Sequence, residues 1–224
     1  MKIRGPSLLM AACLSSALAG CISAPEPQRR EPPRSALGTF PPAPAAQACL
    51  ARLGQSDAGF TPLPDQYYGA GCSTLNAVRL TWLESDDRRL QLSNLGPVSC
   101  PLATTLSGWA RFGVDRAARQ ILGSPLLRIE TMGTYSCRTV AGTARLSGHA
   151  TANAIDIAAF LLADGRRVSV LNNWSGGTPA EREFLRVIHA SACKRFGTVL
   201  SPDYNAAHRN HFHLEIGASR PFCR

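Results

Sequence analysis

Three of the five histidines in this chain fall within His208-Arg209-Asn210-His211-Phe212-His213. Residues two apart on a strand point to the same face, so His211 and His213 would address one site. A fourth, His149, lies in Ser147-Gly148-His149-Ala150-Thr151-Ala152-Asn153-Ala154-Ile155-Asp156. That segment reads as a turn feeding an apolar strand, with Asp156 inside the strand. A carboxylate flanked by Ala154, Ile155, Ile157, Ala158 and Ala159 is costly to bury unless it is paired or bound to a cation. Two imidazoles and a carboxylate form a donor set that suits Zn2+, with a fourth position left open, as in catalytic rather than structural zinc. The expected ligands are His149, Asp156 and His213. His189 falls in a helical pattern and is read as structural.

The elements that must position these groups follow from periodicity and capping. Ala77 to Leu83 and Arg88 to Leu92 read as strands joined by the acidic turn Ser85-Asp86-Asp87. Pro101 to Leu122 suits a helix with proline in its first turn and Leu102, Leu106, Trp109, Val114, Ala117 and Ile121 roughly on one face. Leu126 to Met132 reads as a strand. Ala154 to Leu162 and Arg167 to Leu171 read as a hairpin around Ala163-Asp164-Gly165. Thr178, Pro179 and Glu181 start a helix that runs to Phe196. His211 to Ile216 is a last strand. The order predicts an α+β fold, an antiparallel sheet with helices on one side and the metal site on the sheet.

The N-terminus carries Lys2 and Arg4, then an uncharged run from Ser7 to Ala19. That run is shorter than the ~20 apolar residues a membrane-spanning helix needs, and reads as the core of an export signal covering residues 1–20. Leu18-Ala19-Gly20-Cys21 resembles the lipobox of bacterial lipoproteins, which implies a lipid on Cys21. No aspartate follows the cysteine, so the resemblance favours the periplasmic side of the outer membrane. Residues 21–46, with prolines at 25, 27, 32, 33, 41, 42 and 44, read as an extended tether without a core. Residues 47–224 have globular composition and the length of one domain.

Six cysteines fall in that domain: Cys49, Cys72, Cys100, Cys137, Cys193 and Cys223. An even number in an exported domain points to disulfides, and no Cys-x-x-Cys spacing points to a structural metal. Sequence leaves the pairing open. The arrangement in which the chain need not cross itself is Cys49–Cys72, Cys100–Cys137 and Cys193–Cys223.

The formal charge is +9, and loss of residues 1–20 removes Lys2 and Arg4 and no acid, leaving +7. The arginines are scattered and no basic run is interleaved with aromatics, so no nucleic-acid surface is expected.

Ser147-x-His149-x6-Asp156 followed by His211-x-His213 resembles the metal motif of the D-Ala-D-Ala carboxypeptidase, lysostaphin and Hedgehog-type zinc metallopeptidases. The chain is more similar to the extensin-like C-terminal domain proteins. Cys137-Arg138, Asn153-Ala154-Ile155-Asp156, Val199-Leu200-x-Pro202-x-Tyr204-Asn205 and His208-x-x-His211-Phe212-His213 carry that likeness over residues 47–224. The resemblance implies zinc on His149, Asp156 and His213, a proton-relaying or stabilising role for His211, and a substrate carboxylate or carbonyl on Arg138. Ser147, His208 and Glu215 would support the ligands. Two positions depart from the pattern. Ala152 stands where glycine is usual, and Asn210 stands where an acid is frequent before the first histidine of the pair.

The implied activity is zinc-dependent hydrolysis of amide bonds in peptidoglycan stem peptides or cross-links. Two other classes stay open: a wall-binding or scaffold domain that has kept its metal but lost activity, and a metal carrier.

Overall fold

The computed structural model describes residues 43–217 and 220–224. The expected signal, the lipid-bearing Cys21 and all but the end of the tether lie outside the described residues.

The chain begins with helix α1 (Pro44–Gly54), then strands β1 (Gly59–Pro62), β2 (Gln66–Gly69), β3 (Cys72–Thr74), β4 (Ala77–Glu84), β5 (Arg89–Ser93) and β6 (Val98–Ser99). Helix α2 (Cys100–Trp109) runs through a π-helical segment, Ala110–Asp115, into α3 (Arg116–Leu122). Strand β7 (Leu126–Gly133), a 3-10 turn (Gly148–Thr151), β8 (Ala154–Leu162), β9 (Arg167–Ser169) and the short α4 (Val170–Asn173) follow. The chain ends with α5 (Pro179–Cys193), β10 (Thr198–Leu200), a 3-10 turn (Ala206–His208), β11 (Phe212–Glu215) and β12 (Phe222–Cys223).

The fold is α+β. Ten strands form one sheet whose main path is β1-β4-β5-β7-β8-β11-β10-β12, with β6 beside β4 and β9 beside β8. Most pairs are antiparallel, with β5–β7 and β10–β12 parallel. The core lies where α2 and α5 cover the sheet. Phe160 of β8 meets Trp109 and Phe184 edge-on, and Phe212 of β11 meets Trp174. Alternation along β11 then sends His213 and Glu215 to the opposite face from Phe212 and Leu214.

Local chemistry explains the element ends. Thr178 accepts from the Glu181 amide while the Glu181 carboxylate accepts from the Thr178 amide, closing a capping box on α5. Gly123 stops α3 in the left-handed region at φ 69°. Gly165, at φ 90°, turns β8 into β9.

Several expectations are corrected. Helix α1 starts at Pro44, inside the stretch read as tether, because proline suits a first helical turn and Leu53 and Cys49 are buried against the core. The strand expected over Arg167 to Leu171 ends at Ser169, whose hydroxyl accepts from the Asn172 amide and caps α4. The bridges join Cys49 to Cys100, Cys72 to Cys137 and Cys193 to Cys223. The expected pairs Cys49–Cys72 and Cys100–Cys137 are therefore wrong. Helix α1 packs on α2 and carries Cys49 to its first turn, leaving Cys72 for the loop after β7. Chain order does not foresee that return.

Candidate metal centre

His149, Asp156 and His213 come from three places in sequence and meet on the sheet face opposite α2 and α5. Asp156 on β8 and His213 on β11 are direct antiparallel partners. His149 sits in the 3-10 turn Gly148–Thr151, where the Ser147 hydroxyl accepts from the His149 amide. The turn is held to the strands by Asn153 N–H to the Gly148 carbonyl and Ile216 N–H to the Asn153 carbonyl.

The donor atoms converge. His149 Nε2 lies 3.2 Å from Asp156 Oδ2 and 3.2 Å from His213 Nδ1, and His213 Nδ1 lies 2.9 Å from Asp156 Oδ1. A tetrahedron around zinc with bonds of ~2.0–2.1 Å has edges of about 3.3 Å, so these spacings fit one small cation. Ring orientations fit as well. His149 Nδ1–H donates to the Thr134 carbonyl at 2.6 Å, which leaves Nε2 with a bare lone pair facing inward. His213 Nε2–H donates to Glu215 at 3.3 Å, which turns Nδ1 inward. Both rings are buried.

Charge points the same way. Burial raises the Asp156 pKa, but hydrogen bonds from His149 and His213 outweigh it and hold the carboxyl well below the usual carboxylate range. Burial lowers the His213 pKa, but its bonds to Asp156 and Glu215 push it up to about 9. Without a metal, a proton on His213 takes the cation's place, and a metal must displace it.

His211 precedes β11 rather than lying within it. Its ring still reaches the site, with Nε2 3.6 Å from Asp156 Oδ1. Its Nδ1–H donates to the Asn210 side-chain oxygen at 2.9 Å. The amide at position 210 thus aims the ring as an acid would, without adding charge. Burial pushes the His211 pKa down. His208 packs against His211 and is pushed down to about 4, first by burial and then by the neighbouring rings of His211 and His213. Its Nδ1–H donates to Asn205 at 2.7 Å.

A cleft of about 490 Å³ opens over these groups. Arg138, Ser147, Asp156, His208, His211, His213 and Glu215 all line it, so of the expected ligand, catalytic and supporting side chains only the buried His149 stays out of this lining.

Two contributors escaped the sequence reading. The Thr134 carbonyl orients His149, and a backbone oxygen leaves no mark in sequence. A Cβ at Gly148 would lie 2.5 Å from the Glu215 carboxyl carbon, so any side chain there displaces the group that orients His213. Ala152 is fully buried at φ 55°, the left-handed region in which a methyl group is strained. The departure from glycine at this position therefore carries the strain that a positive φ implies.

A second group of possible ligands, His189, Cys193 and Cys223, is spoken for. Its sulfurs form a disulfide, and the His189 ring packs against Trp174 and Phe212.

A family model described as the extensin-like protein C-terminus matches residues 47–224. No curated protein and no solved structure matches the chain.

Proposed function

This chain belongs to the extensin-like C-terminal family, and we propose that it is a zinc-dependent peptidase that hydrolyses amide bonds in peptidoglycan stem peptides or cross-links. The observation that carries this reading is the convergence of the His149, Asp156 and His213 donors at the floor of an open cleft, beside a histidine not among the proposed ligands. The likeness of the motif to the D-Ala-D-Ala carboxypeptidase and lysostaphin group supports the same reading. The lipobox-like Leu18-Ala19-Gly20-Cys21 places the enzyme, in this proposal, on the periplasmic side of the envelope, anchored at the outer membrane.

His149, Asp156 and His213 would hold the ion, with the Thr134 carbonyl and Glu215 fixing the two rings. Bound there, zinc supplies a Lewis acid that polarises an amide carbonyl and makes water a competent nucleophile near neutral pH. His211 does the proton work. Burial keeps its ring neutral at pH 7, and the bond from Nδ1 to Asn210 leaves Nε2 free to accept a proton from water and return it to the departing amine. Arg138 on the cleft wall holds a substrate carboxylate or carbonyl. This part of the site is a cation awaiting an anion, since the Arg138 side chain has no partner among the described residues.

The test is mass analysis of muropeptides after incubation with the full chain, with and without chelator, alongside His211→Ala. The variant should keep its zinc and lose roughly 10²–10⁴ in kcat, because a proton relay acts mainly on the transition state. A His211→Ala protein that retains zinc and cleaves at the wild-type rate would remove His211 from the mechanism. Absence of any zinc-dependent cleavage would favour the scaffold reading.

A further inference from the structure

The segment between β7 and the His149 turn forms a small hairpin that no ligand role explains. Thr139 and Leu146 make an antiparallel bridge, the Val140 amide bonds the Arg145 carbonyl at 2.8 Å, and the Ser147 amide bonds the Arg138 carbonyl at 3.1 Å. This register puts Arg138 opposite Ser147 and Val140 opposite Arg145. Directly opposed residues share a face, and so do residues two apart. Arg138, Val140, Arg145 and Ser147 therefore form one face, and all four line the cleft. The other face is fixed: the disulfide Cys72–Cys137 ties the base of the hairpin to β3, and the Gly71 turn packs on Leu146.

Arg138 and Arg145 are diagonal neighbours on that face, a relation that spaces such residues about 7–8 Å apart. Among the described residues neither side chain has a hydrogen-bond or ion-pair partner. Most other arginines near acids are paired, as Arg116 is with Asp86 and Arg167 with Glu130. The acids of the cleft are engaged elsewhere, Asp156 with the histidines and Glu215 with His213. Two unpaired guanidinium groups on one rigid wall present bidentate donors to two carboxylates or to one extended dianion.

We propose that Arg145 is a specificity-determining residue of the cleft. It selects peptides that carry a second carboxylate one residue from the carboxylate or carbonyl held by Arg138. The inference rests on the peptidase reading of the same cleft and narrows its substrate class to diacidic peptides.

The test uses acetylated tripeptides with a free C-terminus and either glutamate or glutamine in the middle, made in L and in D form. Each is titrated calorimetrically into the zinc-supplemented full chain at low ionic strength. The wild type should bind the better-fitting glutamate peptide about tenfold more tightly than its glutamine twin, the scale of one exposed charge-assisted hydrogen bond. Arg145→Gln should abolish that preference and leave the glutamine peptide unchanged, and Arg145→Lys should restore part of it. No preference in the wild type, no binding of either peptide, or equal weakening of both by Arg145→Gln would overturn the proposal. Cleavage of the same peptides is followed separately. A preserved preference without cleavage of any substrate would sink the peptidase reading and leave the anion subsite standing, whereas cleavage without preference would do the reverse.

Discussion

Two aspartates are withdrawn from solvent in this domain, and their surroundings differ in kind. Asp115, 0% exposed, closes the π-helical segment after α2. It accepts from the Arg119 guanidinium at 2.8 Å, the Ser85 hydroxyl at 2.6 Å and the Leu126 amide at 2.8 Å. Its charge is neutralised by a permanent cation, and each bond ties a different element: α3, the end of β4 and the start of β7. Among the described residues Asp156 has no arginine or lysine in hydrogen-bond or ion-pair contact. Its neighbours are three imidazoles, two of which aim a nitrogen at the same small space. A carboxylate whose partners are permanent cations and donors is a joint. One whose partners are themselves lone-pair donors needs a cation from outside, a proton or a metal. The nearby Asp86 and Asp87 repeat the first pattern at the surface, where Arg88, Arg111, Arg116 and Arg119 surround them.

This contrast predicts opposite responses to removal. Asp115→Ala leaves the buried Leu126 amide and Ser85 hydroxyl without their acceptor and takes one of two carboxylates from Arg119. At about 1–3 kcal/mol for each buried group left unsatisfied, it should cost roughly 2–5 kcal/mol of folding stability. Asp156→Ala should instead abolish the extra stability that added zinc gives the wild type, an increment that Asp115→Ala should keep. Denaturant unfolding of the two variants with zinc and with chelator would check this, and an equal zinc increment in both would erase the distinction. Next in size is the Cys72–Cys137 bridge. Replacing both cysteines by serine should cost about 2–4 kcal/mol. Because the bridge secures the arginine hairpin rather than a ligand, zinc content should stay at the wild-type level. Loss of the metal along with the bridge would show that the two are not separable.

Much of this architecture was legible in the sequence. The strands with alternating or continuous apolar runs, the Thr178 box and the long helix with proline in its first turn all carry local signals. So did the meeting of His149, Asp156 and His213, because an aspartate in an apolar strand and a His-x-His pair are expensive without a common purpose. Other parts depend on what tertiary structure brings together. Strands β6 and β12 have only two residues each and exist because a neighbour supplies their hydrogen bonds. Helix α1 begins inside the proline-bearing stretch read as tether and gains its place by burying Cys49 and Leu53. The disulfides follow helix packing rather than chain order. The place of Arg145 on the cleft wall needs the register of a short hairpin built around the Thr139–Leu146 bridge.

Strain also separates the two regions. Among the described residues the buried non-glycine with positive φ, Ala152, lies beside the His149 turn, and no counterpart adjoins Asp115. Ala152→Gly should raise stability by about 1 kcal/mol, since the left-handed conformation costs alanine roughly that much. A shift in the midpoint of unfolding with unchanged zinc content is the expected result, and a loss of stability would mean that the methyl group's packing outweighs its strain.

The central claim is that Asp156 belongs to a cation site while Asp115 does not. It is tested most directly by measuring zinc in the purified full chain by elemental analysis after dialysis against metal-free buffer. The wild type and Ala152→Gly should each hold about one zinc per chain, and Asp156→Ala and His149→Ala should lose most of it. Full zinc occupancy in both ligand variants, or none in the wild type after supply of the metal, would contradict the account.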